Sequence, residues 1–520
     1  MLQVKNISKE YGANQILTDV SFTLDKKEKI AVVGKNGAGK STLLKILAGI
    51  EEKDSGEMKM PNGSTIVYLP QIIEPKDENK TPRDYINEKP RKAADFEIEK
   101  LAKVFKLEEK ILDKPIVKLS GGQKTKVAII SIILTNADFI LLDEPTNNLD
   151  IATVLWIEDF IKKSNSSFII VSHDRKFLDN VANKVIEITK EGTINIEKGS
   201  YAQYLFRQEQ KRLRQKIDYE NQQLEIGRLK ETANKKKESA TKGAKYKGTD
   251  NDKLVRNFKR EQAKGSAKEA KRIEKRIDKM DEVEKPKNER PLKINITDLW
   301  SGGNETISAR DLVVGIEKFK AGPFNFDIKY GDKICFIGSN GVGKTTLLKT
   351  ILGKEAVSGE ISVGSAVSFG NLTQEHENLP KDKTLIEFIE GQTGVEQHLI
   401  YNLLKKFNFR EDQFKKKIET LSPGEKTRLI LALFSEQSIN TIVLDEPSNH
   451  LDMDALNAIE ESISSYEGTV VIVSHDRYLI EKIKPNKIYE VTKDKLISIV
   501  DYDEYLKNLN HNLQNSDLSF

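Results

Sequence analysis

Hydrophobic positions along the 520-residue chain fall into two patterns. In the first, short unbroken apolar runs such as IAVV at 30–33, FILL at 139–142, ICFI at 334–337 and IVL at 442–444 stand between polar stretches, as strands buried on both faces do. Two of them, 30–33 and 334–337, run into a glycine-rich loop and then into helix-forming stretches, 42–48 and 346–352. In the second pattern, widely spaced apolar residues interrupt long charged stretches: Phe206, Leu213, Ile217, Leu224 and Leu229 over 201–238, then Leu254, Phe258, Ile273, Ile277 and Met280 over 253–284. With few Gly or Pro inside them, these predict two long helices of about 35 residues, a hairpin about 50 Å long, with Pro286 and Pro291 ending the second. Between them TKGAKYKGTDND, 241–252, predicts a glycine-broken tip. No apolar run approaches the ~18–20 residues that cross a membrane, and the opening MLQVKNISKEYG lacks an apolar signal core.

The landmarks come twice. GKNGAGKS at 34–41 returns as GSNGVGKT at 338–345, LSGGQ at 119–123 as LSPGE at 421–425, LDEP at 142–145 as LDEP at 444–447, and VSHD at 171–174 as VSHD at 473–476. The last three recur 302 residues apart, which predicts a tandem pair of equivalent domains, 1–200 and 291–520, around a linker, 201–290. Charge is divided unevenly between these parts. The linker holds 27 Lys and Arg against 16 Asp and Glu, so it carries +11 while the remainder carries −7 of a total of +4. A basic helical hairpin is either a solvated spacer or a surface for a partner that carries phosphates. The single cysteine, Cys335, sits in an apolar run and reads as a small buried hydrophobe of a protein in a reducing cytoplasm.

Both glycine-rich stretches fit the P-loop pattern, in which backbone N–H groups close on phosphate oxygens and a helix N-terminus adds positive dipole. The residues are Gly34, Asn36, Gly37, Gly39, Lys40, Ser41 and Thr42 in the first copy, and Gly338, Asn340, Gly341, Gly343, Lys344, Thr345 and Thr346 in the second. Lys40 and Lys344 are expected to reach the outer phosphates, and Ser41 and Thr345 to offer a hydroxyl to Mg2+. A chance glycine-rich turn is the bland alternative, and its recurrence in the same strand, loop and helix order argues against it. Asp143 and Asp445 end apolar strands, where a carboxylate can hold Mg2+ beside the P-loop hydroxyl. Glu144 and Glu446 follow, and the alternation of strand side chains predicts that they address a different atom.

Each half resembles the nucleotide-binding domain of the ATP-binding cassette superfamily, on the P-loop, the LSGGQ signature, the Asp-Glu pair and the His taken in order. The resemblance implies an α/β fold, two P-loop NTPase domains joined here by the helical hairpin, and ATP with Mg2+ as ligands. It implies that Glu144 and Glu446 polarise the attacking water, that His173 and His475 contact the γ-phosphate, and that Gln71 and Gln374 match the loop that helps to hold metal and water. It also implies that two domains pair head to tail, so that Ser120, Gly121, Gly122 and Gln123 of one half and Ser422, Gly424 and Glu425 of the other each meet the opposite P-loop. One chain with both halves is then a monomer that closes over two ATP molecules. Tyr11 stands where the family stacks an aromatic on adenine, whereas Gly315 occupies the matching place in the second half. Pro423 replaces a signature glycine and has no N–H to donate, and NNLD at 147–150 departs at Asn148 from the NHLD of 449–452, so unequal hydrolysis at the two sites is expected.

Two fused cassettes, no membrane span and a basic helical linker resemble the ABC-F proteins. That resemblance implies a cytoplasmic factor whose ATP-closed form enters the tRNA exit site of the ribosome, with the linker tip reaching peptidyl tRNA and ribosomal RNA. Lys242, Lys245, Tyr246 and Lys247 are the tip candidates for RNA contact, Lys on phosphates and Tyr by stacking. Some members relieve stalled ribosomes and others protect them from antibiotics; the lean outline here, without an arm in the first cassette or a long extension after Tyr505, is closer to the second kind. The contrasting expectation is an ATPase subunit that couples to separate membrane transporter subunits, which gives the hairpin no purpose.

Overall fold

The computed structural model describes the chain outside residues 72–78, 89–90, 246–252, 281–282, 284–304, 317–318, 355, 373–378, 408, 438, 449–452 and 516–520. Tyr246, Lys247 and Gln374, the 290/291 boundary and the NHLD stretch lie outside the described residues. The chain forms two compact units, 1–201 with 290–520, and 202–289.

The first unit contains both cassettes, each built on a six-stranded sheet. In the first cassette the strand order is Ile66–Leu69, Phe139–Asp143, Ser167–Val171, Lys29–Gly34, Lys184–Ile188, Ile194–Lys198, parallel except for the last pair. The second repeats it as Phe369–Leu372, Thr441–Asp445, Thr469–Val473, Lys333–Ile337, Lys487–Val491, Leu496–Ile499. The unbroken apolar runs become these inner strands because helices cover both faces of a parallel sheet. Phe139–Asp143, Ser167–Val171 and their counterparts are buried at every position, and Cys335 is buried within its strand. A three-stranded antiparallel sheet joins each cassette: Asn14–Leu24, Leu2–Tyr11 and Ser55–Lys59 in the first, Phe319–Lys329, Glu305–Ile316 and Ser358–Val363 in the second. The second cassette's core also takes in Ile151 and Leu155 from helix Ile151–Lys163 of the first, so apolar packing crosses between the cassettes.

The second unit is the helical hairpin. Helix Tyr201–Ala244 runs 44 residues, about 66 Å, and Lys253–Ile277 runs 25. The first is longer than its apolar spacing predicts and the second shorter. Ala-, Lys- and Glu-rich sequence carries the first through Ala244, while the second gives way to turn hydrogen bonds at Lys279 and Met280. Antiparallel pairing is held by Lys236–Glu269 at 2.7 Å, Arg276–Glu225 at 2.9 Å and the buried small residues Ala233, Ala263 and Ala270. Lys242 is exposed in the last helical turn, and Lys245 is exposed just past it.

Candidate active site

Register places the chemistry on one sheet edge. Val32 pairs with Val171, and Val171 with Asp143; in the second cassette Phe336 pairs with Val473, and Val473 with Asp445. The P-loop, Asp-Glu and His strands therefore end side by side, at the carboxyl ends where ligands of open α/β sheets bind. Among the neighbouring segments, Gln71 follows Ile66–Leu69 and is exposed.

Each P-loop opens at a glycine that no other residue could replace without a shift: a Cβ on Gly338 would lie 2.4 Å from the Val491 carbonyl oxygen, and one on Gly34 2.7 Å from that of Ile188. Asn36, Gly37, Asn340 and Gly341 are exposed at the turns. Gly39 and Gly343, in left-handed conformation, start helices Lys40–Leu47 and Lys344–Ile351, placing Lys40, Ser41, Thr42 and Lys344, Thr345, Thr346 in the first turns. Lys40 Nζ donates to the Gly34 and Lys35 carbonyls at 2.8 and 3.0 Å, and Lys344 Nζ to those of Gly338 and Ser339 at 2.9 and 3.1 Å. Burial pulls the Lys344 ammonium below its ordinary value, although the carboxylates of Glu446 and Asp150 pull the other way.

Glu144 and Glu446 lie beyond the last strand residue, with φ of 53° and 46°, so strand alternation is not what aims them. The left-handed turn does it, a conformation uncommon for a residue with a Cβ. The turn is held by the Glu144 N–H donating to Val171 O and the Glu446 N–H to Val473 O, both at 2.8 Å. It brings each carboxylate onto the histidine of its own cassette: His173 N–H donates to Glu144 Oε2 at 3.1 Å and its Nε2 is 3.4 Å from Oε1, against 3.3 and 3.4 Å for His475 and Glu446. Burial pushes both glutamates up to about 7 and holds His173 down to about 4, with His475 also well below its ordinary value. The histidines are therefore neutral at physiological pH. His475 Nδ1 is buried without a partner, while Nε2 faces acceptors, which assigns the proton to Nε2.

The donor set beside the P-loops is oxygen. Thr345 Oγ1 donates to Asp445 Oδ1 at 3.2 Å. In the first cassette the Tyr68 hydroxyl donates to Asp143 Oδ2 at 3.1 Å and leaves Asp143 Oδ1 buried without a partner. An orphaned buried carboxylate oxygen near a serine hydroxyl fits Mg2+, which takes one or two carboxylates and completes its shell with phosphates and water. Among the described residues no group of three or more His, Cys, Asp or Glu could hold a metal.

The second P-loop does meet the first signature. Gly122 lies against Asn340, whose Nδ2 would be 3.3 Å from a Cβ placed there. Ser120, Gly121, Gly122 and Gln123 face Lys344, Thr345, Thr346, Glu446 and His475 across a cavity of about 670 Å³. Ser120 and Ser422 cap helices Gly121–Thr135 and Pro423–Glu436, each donating its own N–H to Gln123 Oε1 or Glu425 Oε2 in a capping box. Gly424 is buried in the second of these turns. Asn148, at φ 60°, turns its carbonyl to the opposite P-loop, where Asn340 Nδ2 donates to it at 2.6 Å; Asn340 Oδ1 in turn faces His475 Nε2 at 3.1 Å. A chain of contacts thus runs from the histidine of one cassette to the backbone of the other.

Tyr11 is about half exposed, donates its hydroxyl to Glu51 and reaches Thr42 of the P-loop helix. In the second cassette the aromatic beside the P-loop is Phe319, which lines the cavity and lies 3.1 Å from a Cβ placed on Gly343. Alignment on Phe326 points instead to Gly315, paired with Lys320. Sequence spacing missed Phe319 because it enters from the second strand of the edge hairpin, whereas Tyr11 ends the first.

Residues 17–147 and 322–449 match the family described as ABC transporter. The chain is 31% identical to ABC transporter F family member 5 of Arabidopsis thaliana, over 98% of this chain and 78% of that one. It is likewise 31% identical to the ribosome protection protein VmlR of Bacillus subtilis (strain 168), over 94% of this chain and 86% of that one. The solved structure of an RNase-L inhibitor shares the fold with a TM-score of 0.64 at 19% identity, over 97% and 93% of the two chains. Among the described residues no helix is long and apolar enough to cross a membrane.

Proposed function

Because the chain belongs to the ABC-F family of tandem ATP-binding-cassette proteins and hydrolyses ATP, we propose that it is a cytoplasmic ribosome factor whose cassettes close over two ATP molecules. The observation that carries the closing step is the composite cavity, where one cassette's P-loop faces the other's signature. Lys344 would hold the outer phosphates, with Phe319 stacking on adenine and the Ser120 helix N-terminus meeting the γ-phosphate from across the interface. Thr345 and Asp445, and in the first site Ser41 and Asp143, would hold Mg2+ with Gln71 and Gln374 nearby, and the ion would supply neutralising charge to the phosphates. Glu446 accepts a proton from water as the water oxygen bonds to the γ-phosphorus and the bond to the β–γ bridging oxygen breaks. A carboxyl pushed up to about 7 is matched to that task at neutral pH. His475, neutral with its proton on Nε2, donates to the γ-phosphate; Lys40, Glu144 and His173 have the same roles in the first site. Loss of the γ-phosphate removes the group both cassettes hold and reopens them.

The ribosome reading is supported by the kinship with VmlR and by the +11 hairpin. In the closed form the hairpin would enter the tRNA exit site and bring Lys242, Lys245, Tyr246 and Lys247 to peptidyl tRNA and ribosomal RNA, relieving a stall or displacing an antibiotic. The test is co-sedimentation of the Glu144→Gln, Glu446→Gln double variant with purified ribosomes. Pelleting only with ATP is the expected result; a variant that stays in the supernatant with and without ATP would overturn the reading.

A further inference from the structure

Beside the composite cavity the two cassettes exchange a reciprocal pair of buried charges. Arg175, two residues after His173, donates through Nη1 to Glu460 Oε2 at 3.1 Å and through Nη2 to Asn457 Oδ1 at 3.0 Å, both in the second cassette. Arg477, two residues after His475, donates through Nη2 to Glu158 of the first cassette and lies 3.6 Å from Asp174 Oδ2. The side chains of Arg175, Glu460, Arg477 and Glu158 are exposed by 6%, 1%, 4% and 5%. The arrangement is symmetric in sequence as well as in space, since Glu158 and Glu460, like Arg175 and Arg477, stand 302 positions apart.

Two guanidiniums here face four carboxylates, those of Glu158, Glu460, Asp174 and Asp476. The Asp476 carboxyl is pushed up to about 7, by burial first and by the Asp174 charge second, with Arg175 acting against both. Lys176 and Glu481 add a half-exposed pair at 2.7 Å, and the Arg175 guanidinium lies over the Tyr478 ring at 4.5 Å. Each Arg and its Glu belong to different cassettes, so separating the cassettes returns all of these charges to water. Desolvating an ion pair costs about as much as its attraction returns, whereas an apolar pair of the same volume in such a place is often more stable, and a lone buried charge is strongly unfavourable.

We propose that Arg175–Glu460 and Arg477–Glu158 form an ion-pair lock that sets the register of the closed cassettes while keeping their association too weak to persist without ATP. The proposal rests on the ATP-driven closing described above. The paired charges favour one alignment, because a slipped interface takes each arginine from its glutamate and leaves Glu158 only the Asn180 amide at 2.9 Å and Glu460 only the Lys482 charge. They add little net attraction, so nucleotide decides whether the interface forms. Attached two residues beyond each histidine, the arginines also tie the alignment of the interface to the γ-phosphate contact, which makes them positioning residues.

The test uses the full chain with Glu144→Gln and Glu446→Gln, carrying fluorophores on Phe96→Cys and Leu399→Cys, exposed positions in the two cassettes. Energy transfer is followed as ATP is added, with the thermal midpoint of each variant measured alongside. Arg477→Met, which leaves Glu158 only the Asn180 amide, is expected to raise the ATP concentration for half closure by at least about tenfold. Adding Glu158→Leu to it should not only restore closure but bring it at least about tenfold below the parent's ATP requirement, or make it independent of ATP. A double variant that needs as much ATP as Arg477→Met, or singles that lower the thermal midpoint and leave the ATP requirement unchanged, would overturn the proposal. If Arg477→Met does not fold, the swap Arg477→Glu with Glu158→Arg decides: closure at the parent's ATP concentration supports the lock, and its loss overturns it. A parent whose energy transfer ignores ATP would overturn the closing reading and the lock with it, an outcome distinct from a parent that responds while its variants do not.

Discussion

The two candidate sites share one skeleton and differ in what surrounds it. Both have a lysine donating into its own loop, a glutamate held at positive φ and a neutral histidine against that glutamate. Around Lys344, however, the histidine continues through Asn340 to the Asn148 carbonyl, an aromatic side chain lines the cavity, and the facing helix begins Ser-Gly-Gly. For Lys40 the aromatic is a half-exposed tyrosine engaged with Glu51, Asp143 shares a carboxylate oxygen with Tyr68, and the signature of the other cassette carries Pro423, which sits well at the start of a helix yet lacks a donor. The lysine, glutamate and histidine are therefore duplicated, while the side chains that surround them are not. The lesson is that the two sites should differ in turnover rather than in chemistry.

Removing the P-loop lysine is the strongest way to break the comparison. Lys344→Ala should lower steady-state ATP turnover by about 100-fold, the usual scale for one charge-stabilising donor, and Lys40→Ala by far less, because the first site carries the smaller share of turnover. Equal losses in a phosphate-release assay would show that the surroundings do not rank the sites. A smaller effect sharpens the adenine side. Phe319→Ala should weaken ATP binding at the second site by about 1 kcal/mol, a five- to tenfold rise in Kd by calorimetry, with Tyr11→Ala weaker because its ring is half exposed. Smallest is the gain from Pro423→Gly, which gives the second signature helix back an N–H. Turnover in the Lys344→Ala background, which isolates the first site, should rise about two- to fivefold, in line with roughly 0.5–1 kcal/mol for one neutral hydrogen bond. A fall would mean that the rigid start of that helix outweighs the donor it lacks.

Legibility followed chain locality. P-loop residues, Asp143, Asp445, the capping serines and the long helices are contiguous patterns, and their roles follow from a few neighbouring dihedrals and one hydrophobic period. The aim of Glu144 and Glu446 was read from strand alternation, whereas a left-handed residue after the strand sets it, because a buried Val carbonyl captures the N–H. Phe319 escaped because it opens the second strand of its hairpin whereas Tyr11 ends the first, so equal spacing from a landmark does not mean equal place. Arg175 and Glu460 repeat at the common interval with Arg477 and Glu158, a signal present in the chain whose meaning needed the partner cassette.

By itself the sequence determined the α/β cassettes, their duplication, the basic helical linker and the glycine-rich loops with their lysines, since each is a local pattern whose physics is complete within about a dozen residues. Only the tertiary structure decided which aromatic stands at the second site, where the Asn148 carbonyl points and which arginine neutralises which glutamate. Those contacts join residues some 190 to 320 positions apart, as Asn340 with Asn148 and Arg477 with Glu158 do, and their energies depend on water excluded by surfaces that no single segment carries.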